Sequence, residues 1–232
     1  MSVNVQYLGH ASFRLQSDYS SVVIDPFFSG NPYACCTADD FIALDAMLLT
    51  HGHFDHIKDA VTIAKATECE VICSSQMADY LKTQGVSADA LKVIEPWETQ
   101  NFLFGRVTAV PAVHSSQIHA EDGSKLADDS PRGYVIEMNG HKIYHAGDTM
   151  LFDDMKKLRD MTIDIALLPI GGTYTMNADE AAQAAEMIAP REVVPMHYNT
   201  FPNIAADPQT FARKVPSGIA VVVLQSSEKE TL

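Results

Sequence analysis

Three histidines and an aspartate crowd into T-H-G-H-F-D-H, residues 50–56, directly behind the apolar run Ala46-Met47-Leu48-Leu49. His51 and His53 are two apart on what reads as extended chain, so their side chains point to the same side, while Asp55 and His56 fall where a helix begins. Neutral imidazoles and carboxylates suit divalent cations such as Zn²⁺, Mn²⁺ or Fe²⁺. A single histidine is most often a solvated or satisfied structural residue. Packed together, however, these groups would repel one another if protonated and would gain nothing in packing, so the cluster reads as a metal site. It differs from H-E-x-x-H, in which two histidines four apart on a helix face hold one zinc.

A loop alone would hold a metal loosely, which calls for ligands from other strand ends. His114 follows Val110-Pro111-Ala112-Val113, Asp148 lies in His145-Ala146-Gly147-Asp148-Thr149, and His197 follows Val193-Val194-Pro195-Met196. Taken singly, the two histidines read as satisfied rim residues and Asp148 as a turn or cap residue. Together with the histidine run they sit where α/β sheets gather functional groups, just past apolar strands.

The elements that must carry these groups form an approximate duplication. In the first half, strands at 3–8, 12–16 and 21–24 lead to Asp25-Pro26; an apolar strand at 46–49, a helical pattern up to about Ala66 and a strand at 71–73 then make a β-α-β unit. A further helix is expected at 76–84 and a strand at 91–94. In the second half, strands at 133–138 and 141–144 flank Asn139-Gly140, a strong hairpin signal, and end at Asp148. Asp164–Pro169 resembles Asp45–Thr50, and Ala178, Ala181, Ala185 and Ile188 give a helix stopped by Pro190, before a strand at 193–196. Gly171-Gly172 occupies the place that His51-Gly52-His53 holds in the first half, as a tight turn or a close approach to substrate. Two β/α halves with facing sheets and outer helices follow, as one domain over residues 1–232, with the site where the halves meet. Residues 115–131, with Glu121-Asp122-Gly123, read as an irregular surface loop, or alternatively a lid.

Composition narrows the partners. The 232 residues carry a formal net charge of −14, and no basic run exceeds Lys156-Lys157, so nucleic acid is not expected as a partner. The four cysteines, Cys35, Cys36, Cys69 and Cys73, make no C-x-x-C pair and read as reduced thiols. The start MSVNVQYLGH has no signal-peptide pattern and no run approaches a membrane span, so a cytoplasmic protein acting on a small molecule is expected, with homo-oligomerisation left open.

T-H-G-H-F-D-H, a lone histidine after a strand, G-D-T, and another lone histidine after a strand resemble the metallo-β-lactamase fold superfamily over nearly the whole chain. Y-L-G-H-A-S-F, I-D-P-F, Y-H-A-G-D-T and P-M-H-Y-N-T-F resemble its small metal-dependent hydrolases, which are related to phosphorylated-ascorbate lactonases. The resemblance implies a four-layer αββα sandwich. It also implies two divalent metals, with zinc first and manganese or iron as alternatives: His51, His53 and His114 on one, Asp55, His56 and His197 on the other, and Asp148 bridging. Asp25 is divided between a turn carboxylate and an acceptor behind the histidines, and His10 and His145 are expected to support rather than ligate. His119 and His141 receive no role. The expected activity is hydrolysis of an ester, lactone or phosphodiester by a hydroxide held between the metals, with Asp55 positioning it or relaying its proton. The competing classes are an iron-dependent oxidoreductase of the sulfur-dioxygenase kind and a non-catalytic binding protein.

Overall fold

The computed structural model describes residues 1–119 and 124–232. In the first half, β1 (Asn4–Gly9), β2 (Ser12–Gln16), β3 (Ser21–Ile24) and β4 (Ala46–Leu48) precede α1 (Phe54–Ile57), α2 (Ala60–Thr67), β5 (Glu70–Cys73), α3 (Ser75–Thr83) and β6 (Leu91–Val93). The second half contains β7 (Thr99–Phe102), β8 (Gly105–Pro111), β9 (Gln117–His119), β10 (Lys125–Asp128), β11 (Arg132–Met138) and β12 (His141–His145). It continues with β13 (Ile165–Pro169), α4 (Ala178–Ile188), β14 (Glu192–Met196), α5 (Pro208–Lys214), β15 (Ala220–Val221) and β16 (Lys229–Thr231).

The strands form two seven-stranded sheets, ordered β16-β1-β2-β3-β4-β5-β6 and β15-β14-β13-β12-β11-β8-β7. From β1 to β6 the neighbours pair antiparallel twice and then parallel three times, and the series β8-β11-β12-β13-β14-β15 repeats that pattern. The duplication read from the sequence is therefore a duplication of sheet topology. The sequence reading lacked β16, which crosses back to pair with β1 of the first sheet.

Side-chain alternation along the strands makes the layers. Val22, Ile24, Ala46, Leu48 and Ile72 pack in one core with Val107, Tyr134, Ile136 and Leu167 of the second sheet. Their alternates Val23, Met47, Leu49, Val71 and Cys73 pack in another with Ile63, Met77 and Leu81 of the helices. Buried on both faces, such strands read as continuous apolar runs. On the far side, α4 buries Ala181, Ala184, Ala185 and Ile188, and Asn177 caps its start by accepting from the Asp179 and Glu180 amides. This is the four-layer αββα sandwich.

Two segments differ from the sequence reading. The single helix expected up to Ala66 is split, because Asp59 turns inward to accept hydrogen bonds from the Phe28 and Ser29 amides and the Ser29 hydroxyl. Residues 115–131 are not simply irregular: β9 and β10 pair antiparallel. Ile118 is fully buried there, and Ser116 Oγ accepts from the Gly52 amide at 3.2 Å. The described part of this segment braces the histidine loop from behind, a placement unlike a lid, whereas Glu121-Asp122-Gly123 lies outside the described residues. All four cysteines are free, and among the described residues no helix is long and apolar enough to cross a membrane.

Candidate metal centre

The two sheets are tied together at the root of the T-H-G-H-F-D-H loop. The Tyr134 hydroxyl donates to the Leu49 carbonyl at 2.9 Å, and the Arg132 amide to the Thr50 carbonyl at 3.0 Å. The loop therefore leaves the first sheet facing the strand ends of the second. Donor atoms of His51, His53, His114 and Asp148 lie within 4.8 Å of one another, and so do those of His10, Asp55, His56 and His197. Asp148 joins the clusters: its Oδ2 is 3.1 Å from His197 Nε2, 3.8 Å from His114 Nε2 and 3.9 Å from His51 Nε2, while its Oδ1 is 3.3 Å from His56 Nε2. All seven residues expected as ligands are brought together, with His10 beside them. His119 and His141 belong to neither cluster.

The geometry fits a cation better than a network of hydrogen bonds. His53 Nδ1 lies 3.1 Å from His51 Nε2 and 3.2 Å from His114 Nε2. A ring nitrogen has one proton or one lone pair, so it cannot satisfy both neighbours. Ligands of a tetrahedral zinc, with bonds of about 2.0–2.1 Å, stand about 3.3 Å apart, close to this spacing. In addition, His56 Nε2, Asp148 Oδ1 and both ring nitrogens of His197 are buried without a hydrogen-bond partner. Buried polar atoms left so are costly, and here they gather where the two clusters meet.

Behind the donors lies a layer that orients them. Asp25 is fully buried; it accepts from the Thr50 amide at 2.8 Å, the Thr50 hydroxyl at 2.6 Å and His56 Nδ1 at 2.8 Å. With the Thr50 hydroxyl donating to Asp25, its oxygen accepts from His51 Nδ1 at 3.0 Å. One carboxylate thus turns the lone pairs of His51 and His56 Nε2 toward the centre, which makes Asp25 the supporting acceptor rather than a turn residue. The Tyr174 carbonyl lies beside the His114 ring and favours a proton on it. His145 spends both nitrogens on structure, Nε2 donating to the Ala11 carbonyl at 2.8 Å and Nδ1 accepting from the Gly147 amide at 3.1 Å. His10 lies between Thr200 Oγ1, 2.9 Å from its Nδ1, and Asp55 Oδ2, 3.2 Å from its Nε2.

Charge is distributed unequally. Burial, reinforced by neighbouring imidazoles, holds His51 and His114 below their ordinary pKa and brings His53 down to about 4. Burial also works against protonation of His56, but Asp148 and Asp25 outweigh it and push this histidine well above its usual range. For Asp148 burial is overcome by His197 and His56, and for Asp55 by the His10 hydrogen bond, so both carboxyls lie well below the usual range. Burial, followed by His197, lowers His10 to about 4.

The backbone at these strand ends is unusual. His10, Asp25 and His197 have φ of 60°, 47° and 54°, a left-handed conformation costing on the order of 1–3 kcal/mol per residue that persists only where surroundings enforce it. One constraint is the 2.8 Å bond from the His197 amide to the His10 carbonyl, which ties the halves together. A β-carbon at Gly171 would stand 2.4 Å from the His197 carbonyl oxygen. This glycine therefore makes room for the His197 backbone, a packing role that the sequence reading had left between a turn and a substrate contact.

Thr50, Thr200 and the Tyr174 carbonyl are the supporting groups that sequence reasoning missed. Thr50 and Thr200 stand inside quoted motifs, but nothing in their spacing says what a hydroxyl will meet across the fold.

Comparison with known proteins agrees with this geometry. The β-lactamase superfamily domain matches residues 20–198. A metal-dependent hydrolase of Pyrococcus furiosus is 42% identical, over 97% of this chain and 98% of its own. One of Thermococcus onnurineus is 44% identical, over 97% and 98%. The structure of Igni18, a metallo hydrolase from Ignicoccus hospitalis, superposes with a TM-score of 0.86 at 33% identity, covering 100% of this chain and 99% of that one.

Proposed function

The chain belongs to the β-lactamase superfamily, and on that premise we propose that it is a metal-dependent hydrolase cleaving an ester, lactone or phosphodiester bond of a small molecule at two divalent cations. The observation that carries this reading is the pair of donor clusters sharing Asp148, with unpartnered buried polar atoms between them. His51, His53 and His114 would hold one cation and Asp55, His56 and His197 the other. The imidazole-rich first cluster suits zinc, and manganese or iron is compatible with the same donor types. Cations held there supply positive charge that polarises the scissile bond and acidifies water.

The protein's own part is to orient and to handle protons. Asp25 and Thr50 turn Nε2 of His51 and His56 toward the centre, where His51 offers a lone pair directly and His56 would do so once a cation displaces its Nε2 proton. Asp55 is the more accessible site carboxylate, with 15% of its side chain exposed against 3% for Asp148, which supports it as the group that would accept an O–H of the attacking water. The Thr200 hydroxyl donates to His10 Nδ1, and His10 Nε2–H donates to Asp55 Oδ2. That bond keeps the carboxylate ionised and fixes its direction.

The test is elemental analysis of reconstituted protein together with a screen of lactones, carboxylic esters and phosphodiesters, before and after chelation. Close to two metals per chain and chelator-sensitive hydrolysis are expected. Oxygen consumption without hydrolysis in the iron form would overturn the reading.

A further inference from the structure

Large apolar side chains exposed to water are scattered over most surfaces, this one included, but four of them stand next to the donors. Phe54, Val113, Met150 and Tyr174 are 61, 48, 36 and 55% exposed. Each adjoins a donor. Phe54 lies between His53 and Asp55, and Val113 precedes His114. The Met150 amide, two residues past Asp148, donates to the Val113 carbonyl at 2.9 Å, and the Tyr174 carbonyl lies beside the His114 ring. On the side of the second cluster, Phe201 is half-buried, with ring centroids 6.1 Å from Phe54 and 5.7 Å from His10, whose ring is 4.1 Å from that of His197. Phe27 backs both aromatic rings, at 5.9 and 6.3 Å. Asn203 Nδ2 donates to the Tyr174 hydroxyl at 2.9 Å, linking the Tyr174 loop to the turn that follows Phe201.

No basic side chain among the described residues pairs with the site. Among the described residues no lysine or arginine forms an ion pair or hydrogen bond with any of the eight donors, and the chain as a whole carries −14. Sites for anionic esters normally add arginine or lysine to the metals, since each phosphoryl oxygen needs its charge met. The basic residue nearest in sequence, Lys58, is exposed one helical turn beyond Phe54.

We propose that the substrate of this hydrolase is an uncharged carboxylic ester or lactone whose alkyl or aryl group rests on the rim formed by Phe54, Phe201 and Tyr174, so that these residues determine specificity. This rests on the hydrolase reading and narrows it. A rim continuous with the donors is covered by whatever is attached to the scissile bond, and burying one phenyl or medium alkyl group there contributes roughly 10- to 100-fold in kcat/KM. In the step itself the acyl C–O bond breaks and the water oxygen forms the new C–O bond; one water proton passes to the departing alcohol oxygen and the other through Asp55 to solvent, leaving a carboxylate, so no further reactant is needed.

The test compares 4-nitrophenyl acetate with the octanoate, γ-butyrolactone with γ-nonalactone, and both series with methyl 4-nitrophenyl phosphate, using metal-reconstituted full-length protein. The longer substrates should gain roughly 10-fold or more over the short ones. Phe54→Ala and Tyr174→Ala should shrink that ratio to within about threefold of unity, with metal content unchanged. Calorimetry with acetohydroxamate and phenylacetohydroxamate gives a readout independent of turnover: wild type should prefer the phenyl compound, and the variants should lose the preference. Hydrolysis with no chain-length effect and equal hydroxamate affinities would overturn the rim proposal while leaving the hydrolase reading intact. Absence of all hydrolysis with both metals bound would sink the hydrolase reading, and the hydroxamates would still decide whether the rim binds apolar groups. Faster cleavage of the phosphodiester, lost in Lys58→Ala, would overturn the proposal in favour of an anionic substrate. A dimer that Phe54→Ala dissociates, with the substrate ratios unmoved, would make the rim an interface between copies.

Discussion

The two donor clusters share Asp148 and lie side by side, yet they stand differently toward protons. In the first, burial depresses all three histidines, His51, His53 and His114, so each enters the site neutral. In the second, His56 sits between Asp148 and Asp25, 3.3 and 2.8 Å away, and those carboxylates hold a proton on it in the metal-free chain. A cation entering the first cluster finds lone pairs ready, whereas one entering the second must displace the proton that compensates two buried carboxylates. The contrast teaches that the same ligand types can make one position preformed and its neighbour dependent on pH.

The comparison breaks most completely at the residue both clusters use. Asp148→Ala is expected to lower metal content from near two per chain to below one and to reduce kcat/KM beyond roughly 10⁴-fold, since both positions lose charge at once. Elemental analysis and kinetics on one preparation check this; two retained metals would deny Asp148 its bridging place. Asp55→Asn should act on one side only, lowering kcat by roughly 10²–10⁴-fold with a smaller loss of metal. Near-normal turnover with both metals bound would remove Asp55 from proton handling.

Asp25→Asn probes the orienting layer and should weaken metal binding by roughly 10–100-fold. The second cluster should suffer more, because His56 bonds to Asp25 directly and His51 only through Thr50. Equal losses in a competition titration would show that the asymmetry does not originate there. A finer measure is metal affinity between about pH 7 and 5, where the second position should weaken by up to about tenfold more per pH unit than the first, reflecting the proton on His56. Parallel curves would contradict the charge assignment.

The smallest effect concerns the metal-free fold. His53, at about 4, is neutral in the folded chain over a range in which its unfolded counterpart, near 6.5, is protonated. The unfolded state then binds more protons, so stability falls as pH drops from about 6.5 toward 4, by at most about 1.4 kcal/mol per pH unit for such a histidine and less for one partly exposed. His56 has the opposite sign: its contribution is present below about 6.5 and is lost as pH rises through its raised folded value. Denaturant titrations of the chelated protein should therefore show His53→Gln flattening the acid side and His56→Gln the alkaline side. Circular dichroism should find the chelated protein folded, because cores this large do not need a metal to form.

Much of this was legible in the chain. Short apolar runs bounded by turn residues placed β2, β3, β4, β11 and β12 nearly to the residue, because strands buried between layers must be apolar whatever they pack against. Turn chemistry at Asn139-Gly140 and the stop at Pro190 are local and travel with the sequence. The candidate donors that the fold brings together were legible because a histidine run with no packing value needs a reason, and three further candidates stood just past apolar strands. The break between α1 and α2 was not legible. It comes from Asp59 meeting amides 30 residues and more away in sequence, which outweighs a helical pattern continuous across that position. The β9–β10 brace escaped for a similar reason: its buried Ile118 stands in a polar stretch that reads as loop.

By itself, then, the sequence determined the layers, the duplicated order of elements and the candidate donors, since all of these follow from the types and periods of neighbouring residues. Only the tertiary structure decided how the donors differ. Asp25 and Asp148 each end a hairpin, and nothing local separates them. Asp25 is saturated by Thr50 and His56, whereas Asp148 retains a buried oxygen with no hydrogen-bond partner. That difference depends on which strand ends meet across the two sheets and on left-handed turns at His10, Asp25 and His197 that long-range bonds such as His197 to His10 enforce, and no local propensity encodes either.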